Sequence, residues 1–259
     1  MLPTIVGCPG AWHTKDFFDD LSNSFRSRGY DFVSQDAPGV VQQNGFDGTA
    51  DKDADSLRAN LLVPLVESGK DVALLMHSYG GVYGAGAVQG LSKQERQAAG
   101  KAGGVVALVF VSAVPPMAGK STLDMMGTDT DHLPPWVDHD RSTGFVAFSG
   151  AREVMYHDLP DTVATRYLSM VKPQALSSLG SPISYSPLAD PFFANMSGYV
   201  LCGADRVIPL AGQEAYAAMG GIDRTVLVPQ ATHAFFASAQ GQVVDATLQL
   251  LADINPANE

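Results

Sequence analysis

Cysteine is scarce in this chain: two residues, Cys8 and Cys202, among 259. Two cysteines build no disulfide framework, and each lies in an apolar strand-like run where a buried free thiol is expected. Basic residues are also few. Sixteen Lys and Arg stand against 27 Asp and Glu, a formal net charge of −11. An acidic surface repels phosphate backbones and anionic lipid, so neither a nucleic acid nor a membrane partner is expected. No apolar run reaches transmembrane length. The start, Met1-Leu2-Pro3-Thr4-Ile5-Val6, lacks a basic n-region and enters a strand at once. No secretory signal is expected there, and a cytoplasmic location is. Internal repeats and low-complexity segments are absent. Charged residues make up only 17% against 46% hydrophobic, so the chain can bury a sizeable core.

What is present is an alternation of apolar runs and helical patterns. Strands are expected at Ile5 to Cys8, Tyr30 to Ser34, Val72 to Met76, Val105 to Val111, Tyr199 to Cys202 and Thr225 to Val228. Helices are expected at Phe17 to Arg28, Asp51 to Glu67, Gly80 to Gly90 and Gln242 to Ile254. In the second of these, Leu57, Leu61 and Leu65 would share one face, and Pro64 would kink it. Ser92 and Glu95 read as a capping box for a short helix ended by Gly100. Continuous apolar strands separated by helices predict an α/β fold with a doubly wound, mostly parallel sheet. The rhythm breaks between about Pro115 and Ser197. That stretch is rich in Pro, Met, aromatics and Asp and shows helical patterns at Ala151 to His157 and Asp161 to Val171. It is read as a mainly helical cap, residues 115–197, inserted in a core formed by 1–114 and 198–259.

Leu74-Leu75-Met76-His77-Ser78-Tyr79-Gly80-Gly81 carries the chemistry. An apolar run enters a serine and then, one residue on, a glycine-rich helix start, which is how a strand-turn-helix nucleophile elbow reads. The pattern wants glycine two residues before the serine, and Met76 stands there. A serine hydroxyl needs a base, and the base needs a carboxylate to orient it. Among six histidines only His233 directly follows the last strand, and Asp205 directly follows the strand before it. In a doubly wound sheet such groups gather at the carboxyl ends of strands. An oxyanion hole needs two backbone N–H groups. Tyr79 would supply one, and the loop Pro9-Gly10-Ala11-Trp12-His13 the other.

These pieces resemble the α/β-hydrolase superfamily, in particular the branch with plant methylesterases and hydroxynitrile lyases and related fungal and bacterial hydrolases. The resemblance rests on Pro9-Gly10-Ala11-Trp12-His13, His77-Ser78-Tyr79-Gly80-Gly81, Cys202-Gly203-Ala204-Asp205 and Thr232-His233. More loosely, it includes Arg152 to Pro160 and Lys172-Pro173-Gln174. It implies a Ser78, Asp205, His233 triad with backbone donors at Ala11 and Tyr79. It also implies a short N-terminus, the two leading strands of the full fold being absent or reduced. Lyases of this branch carry threonine where this chain has Gly10 and lysine where it has Ala234, which favours ester, thioester or lactone hydrolysis.

The expected partner is therefore a small-molecule ester or lactone, handled by a monomer or homodimer without cofactor or metal. Trp12, Trp136, Phe145, Tyr156 and Phe235 are candidate pocket walls, and His13 could touch substrate or make a structural hydrogen bond. His77 is expected to pack. Gly84-Ala85-Gly86-Ala87-Val88-Gln89-Gly90 mimics a dinucleotide fingerprint but lies inside the elbow helix. Asp129, Asp131, His132, Asp138, His139 and Asp140 lack fixed ligand spacing and read as a solvated loop. The alternatives are a lyase or cyclase acting without an acyl-enzyme, or a non-catalytic ligand receptor.

Overall fold

A computed structural model describes residues 2–41 and 48–255. Its strands, in chain order, are β1 (Thr4–Cys8), β2 (Phe32–Ser34), β3 (Asp71–His77), β4 (Gly104–Val111), β5 (Asp138–Asp140), β6 (Phe145–Ala147), β7 (Gln174–Ala175), β8 (Ser197–Cys202) and β9 (Thr225–Val228). Six of them form one sheet in the order β2-β1-β3-β4-β8-β9, every pair parallel. β3 and β4 are buried almost end to end. That is why they read as unbroken apolar runs: helices cover both faces of a parallel sheet. Cys8 and Cys202 are both free and buried.

The strand order decides where a ligand can sit. From β1 the chain steps outward to β2, then returns to place β3 on the other side of β1 and continues to β4, β8 and β9. The order therefore reverses between β1 and β3, and a crevice opens at their carboxyl ends. Cys8 pairs with Met76, so the loops after the two strands start at the same level.

Three expectations need correction. The helix over residues 50–67 does not keep one register. It runs as α-helix over Ala50–Leu57, as a π turn over Arg58–Leu62 and again as α-helix over Val63–Glu67. The Val63 N–H reaches back five residues to the Arg58 carbonyl. Pro64, next in line, has no N–H for the ordinary bond. The extra residue in the turn rotates the buried face, so Leu57, Leu62 and Val66 point inward while Leu61 and Leu65 are only half-buried. The elbow helix ends at Gly86, earlier than Gly90. Finally, the stretch after β4, expected to be mainly helical, also holds strands: β5, β6 and β7 form a small antiparallel sheet. These strands are only two or three residues long, too short for alternation to show in the sequence. Helices in the same stretch are Thr122–Met125, Ala151–Val154, Asp161–Met170 and Leu176–Gly180. Among the described residues no helix is long and apolar enough to cross a membrane.

Candidate active site

Two residues separate the end of β3 from the helix Gly80–Gly86. So sharp a reversal forces Ser78 to φ +53°, a left-handed conformation that costs a non-glycine residue roughly 1–2 kcal/mol. Its carbonyl is held by the N–H groups of Gly81 at 3.0 Å and Val114 at 3.1 Å. Glycines let the helix lie on the strand ends. A Cβ on Gly80 would stand 2.2 Å from the Cys8 carbonyl oxygen, and one on Gly81 2.4 Å from that of Val114. Gly84 resolves the departure at Met76. Met76 is fully buried, and a Cβ on Gly84 would stand 3.1 Å from its Cγ and 2.9 Å from Cys8 Sγ. The small residue this elbow requires is on the helix, one turn in, rather than on the strand.

At the far side of the sheet, His233 follows β9 and Asp205 follows β8. Both side chains are buried, with His233 Nδ1 2.7 Å from Asp205 Oδ2. The other carboxylate oxygen accepts from the N–H groups of Val207 at 2.7 Å and Ile208 at 2.9 Å. Asp205 thus both caps the turn before Pro209 and orients the imidazole. A third residue joins this pair. The Ser112 hydroxyl, just past β4, donates to Asp205 Oδ2. Sequence reasoning missed it; the available signal was a serine directly after the fully apolar Val105–Val111 run.

His77 lies among rings, 4.6 Å from His233 and 5.2 Å from Phe235 between centroids. Burial, then the neighbouring His233 and His13, push its pKa well below the usual imidazole value. It stays neutral, as a packing residue should.

The loop after β1 is pinned mainly from the 115–197 stretch. Trp12 adopts φ +66°. Its backbone N–H donates to Gln174 Oε1 at 3.4 Å, its indole N–H to the Val146 carbonyl at 3.0 Å, and its carbonyl accepts from Lys172 N–H at 3.0 Å. His13 bridges the Ala11 carbonyl at 2.6 Å and the Tyr156 hydroxyl at 2.8 Å. Burial lowers its pKa to about 4, against the raising effect of the Ala11 bond and alongside His233. A neutral ring fits the geometry: Nδ1–H donates to Ala11, and Nε2 accepts from Tyr156. Across the crevice, the Tyr79 hydroxyl donates to Asp53 Oδ2 at 2.7 Å, and Gly39 N–H donates to Oδ1 at 2.8 Å. Burial raises the Asp53 pKa while these donors oppose it. Both flanks of the crevice are therefore anchored, and Gly10 closes it: a Cβ there would be 2.8 Å from Ser78 Cβ. Among the described residues, neither the Ala11 nor the Tyr79 backbone N–H is spent on a turn or loop hydrogen bond.

Ser78, Ala11 and Tyr79 face a cavity of about 40 Å³. Trp12 and Trp136 stand in its wall, with ring centroids 6.1 Å apart. Sequence reasoning missed most of the remaining wall, including Val114, Leu123, Leu179 and Val207. Apolar residues on short helices and loops carry no mark that separates a pocket wall from core. His13, Tyr156, Phe145 and Phe235 lie outside the lining. The first two are spent on each other, and Phe235 is fully buried against His77. Among the described residues no three His, Cys, Asp or Glu side chains gather to hold a metal ion, and Asp129 instead pairs with exposed His132 at 2.8 Å.

Known proteins share this fold. The alpha/beta hydrolase nvfD of Aspergillus novofumigatus (strain IBT 16806) is 25% identical over 221 residues, 84% of this chain and 84% of that protein. The crystal structure of polyneuridine aldehyde esterase matches with a TM-score of 0.77 at 16% identity, covering 96% of this chain and 99% of that one. A methylesterase, MES16 from Arabidopsis, gives 0.71 at 17% identity over 97% and 100%. A pyrethroid hydrolase from Sphingobium faniae JZ-2 gives 0.72 at 17% identity over the full length of both. These structures share the fold. A family model described as the alpha/beta hydrolase family matches residues 5–246, nearly the whole of the sheet and the crevice above it, and the chain belongs to that family.

Proposed function

We propose that this protein is a cofactor-free serine hydrolase that cleaves a carboxylic ester, thioester or lactone of a small to medium apolar substrate. The observation that carries the reading is the buried His233–Asp205 contact at 2.7 Å beside a serine elbow that opens on an apolar cavity. His233, held in one tautomer by Asp205, takes the proton of Ser78 Oγ as that oxygen attacks the substrate carbonyl carbon. The resulting oxyanion accepts hydrogen bonds from the backbone N–H groups of Ala11 and Tyr79. His233 then gives its proton to the departing oxygen or sulfur, leaving an acyl group on Ser78. Water, deprotonated by His233, attacks the acyl carbon; the Oγ–acyl bond then breaks as His233 returns that proton to Ser78 Oγ, and the acid leaves. The esterase and hydrolase names of the structural neighbours point to the same reaction class.

The cavity favours apolar groups, because its wall is almost wholly aliphatic and aromatic. Gly10 stands where lyases of this branch carry threonine, and a Cβ there would lie 2.8 Å from Ser78 Cβ, which favours hydrolysis.

Turnover of a panel of aryl and alkyl esters and lactones by Ser78→Ala, together with fluorophosphonate labelling, tests the reading. Loss of roughly 10⁴-fold or more in kcat and of labelling is expected. Undiminished turnover of every ester by Ser78→Ala would refute it.

A further inference from the structure

Ser112 is fully buried and holds φ +41°, a conformation in which glycine would be free and serine is strained. The strain is imposed from several sides. Ser112 N–H donates to the Val200 carbonyl at 3.2 Å. The next residue, Ala113, is bracketed by the Tyr199 hydroxyl, which accepts from its N–H at 2.9 Å and donates to its carbonyl at 2.7 Å. Val114 N–H then donates to the Ser78 carbonyl. A buried left-handed serine so closely constrained is an outlier that asks what its side chain does.

The hydroxyl reaches the one carboxylate oxygen that contacts His233. Asp205 Oδ1 is satisfied by two backbone donors, whereas Oδ2 accepts from His233 Nδ1 and from Ser112 Oγ. Ser112 Oγ also stands 3.3 Å from His233 Nδ1, too far to compete with the 2.7 Å contact to Asp205. Its proton therefore belongs to the carboxylate. Without that donor, Oδ2 would carry its charge toward His233 alone, and the carboxyl group would lose the side-chain support that comes from the end of β4.

We propose that Ser112 is a positioning residue for the Ser78 reaction: its hydroxyl fixes the Asp205 carboxylate, and through it the tautomer and direction of the His233 ring. The proposal rests on the hydrolase reading given above. It extends the site to the end of a fourth strand, so that β3, β4, β8 and β9 each contribute one side chain.

The test compares Ser112→Ala with Ser112→Gly. Both remove the hydroxyl, while glycine also relieves the left-handed strain and guards against a folding defect. The readouts are the NMR resonance of the His233 Nδ1 proton in the free protein, assigned with His233→Ala, and kcat and KM on an ester that the parent chain turns over. In both variants the resonance should move downfield, because Asp205 Oδ2 becomes a stronger acceptor for that proton alone. kcat should fall roughly tenfold with KM little changed, the loss of one hydrogen bond to a charged group. Either an unmoved resonance or an unchanged kcat in Ser112→Gly would overturn the proposal. A parent chain that turns over no ester would remove the hydrolase reading instead, and the resonance alone would then decide the Ser112 contact.

Discussion

Gly10→Ala should damage activity far more than a single methyl group suggests. The new Cβ would sit 2.8 Å from Ser78 Cβ and 3.1 Å from His77 Nδ1. Ordinary van der Waals contact begins at 3.4 Å, so the closer approach is 0.6 Å too short. Neither neighbour is the loose end of a flexible chain. Ser78 is fixed by its two carbonyl hydrogen bonds, and His77 is fully buried among rings. The loop carrying residue 10 is equally constrained, through Trp12 and His13. Something must shift by about half an ångström within the reacting geometry, which should lower kcat/KM by roughly 10- to 100-fold. Overpacking should also cost about 1–3 kcal/mol. At about 2–4 °C per kcal/mol for a chain of this size, Tm should drop by about 2–12 °C. The assays are ester turnover and a thermal melt. If Gly10→Ala kept kcat/KM within twofold and its Tm unchanged, the tight Gly10–Ser78 approach and the oxyanion geometry drawn from it would be wrong.

Two further outcomes follow from the same structure. Ser78→Gly should abolish turnover yet raise Tm by about 2–4 °C, since glycine relieves a left-handed conformation worth about 1 kcal/mol; a lowered Tm would mean that the elbow is unstrained. Acid should destabilise the protein through buried histidine. His13 has its pKa lowered to about 4 from 6.5, so its contribution is complete above about pH 6.5 and is lost as pH falls toward 4. The loss is on the order of 3 kcal/mol, and His77 acts in the same direction. Urea titrations from pH 7 to pH 4 should show this slope, and His13→Gln should flatten it; an identical slope in the variant would count against a buried neutral His13.

Much of the sheet was legible because its strands are buried on both faces. Val105 to Val111 and Val72 to Met76 could not be surface segments, and residues directly beyond such strands had to collect at one edge. That reasoning alone singled out Asp205 and His233, which the structure brings to 2.7 Å. Ser112 satisfies the same rule but escaped notice, because a lone serine beyond a strand carries no pattern and its strained φ exists only in three dimensions. Met76 misled in the opposite direction. Local pattern demands a small residue on the strand, whereas packing accepts one on the facing helix, and Gly84 is there. The register of the Ala50–Glu67 segment is not set by apolar spacing, because Pro64 lacks an N–H. A π turn absorbed the missing N–H and passed the buried face from Leu61 to Leu62.

By itself the sequence determined the layering, the parallel sheet and the strand ends at which reactive groups could stand, since apolar periodicity is a local consequence of burial. Only the tertiary structure decided which of those groups touch, that Trp12 rather than Tyr156 walls the cavity, and that Ser112 supports Asp205. Those contacts join residues dozens of positions apart, and their distances are set by how strands and helices pack rather than by any neighbour in the chain.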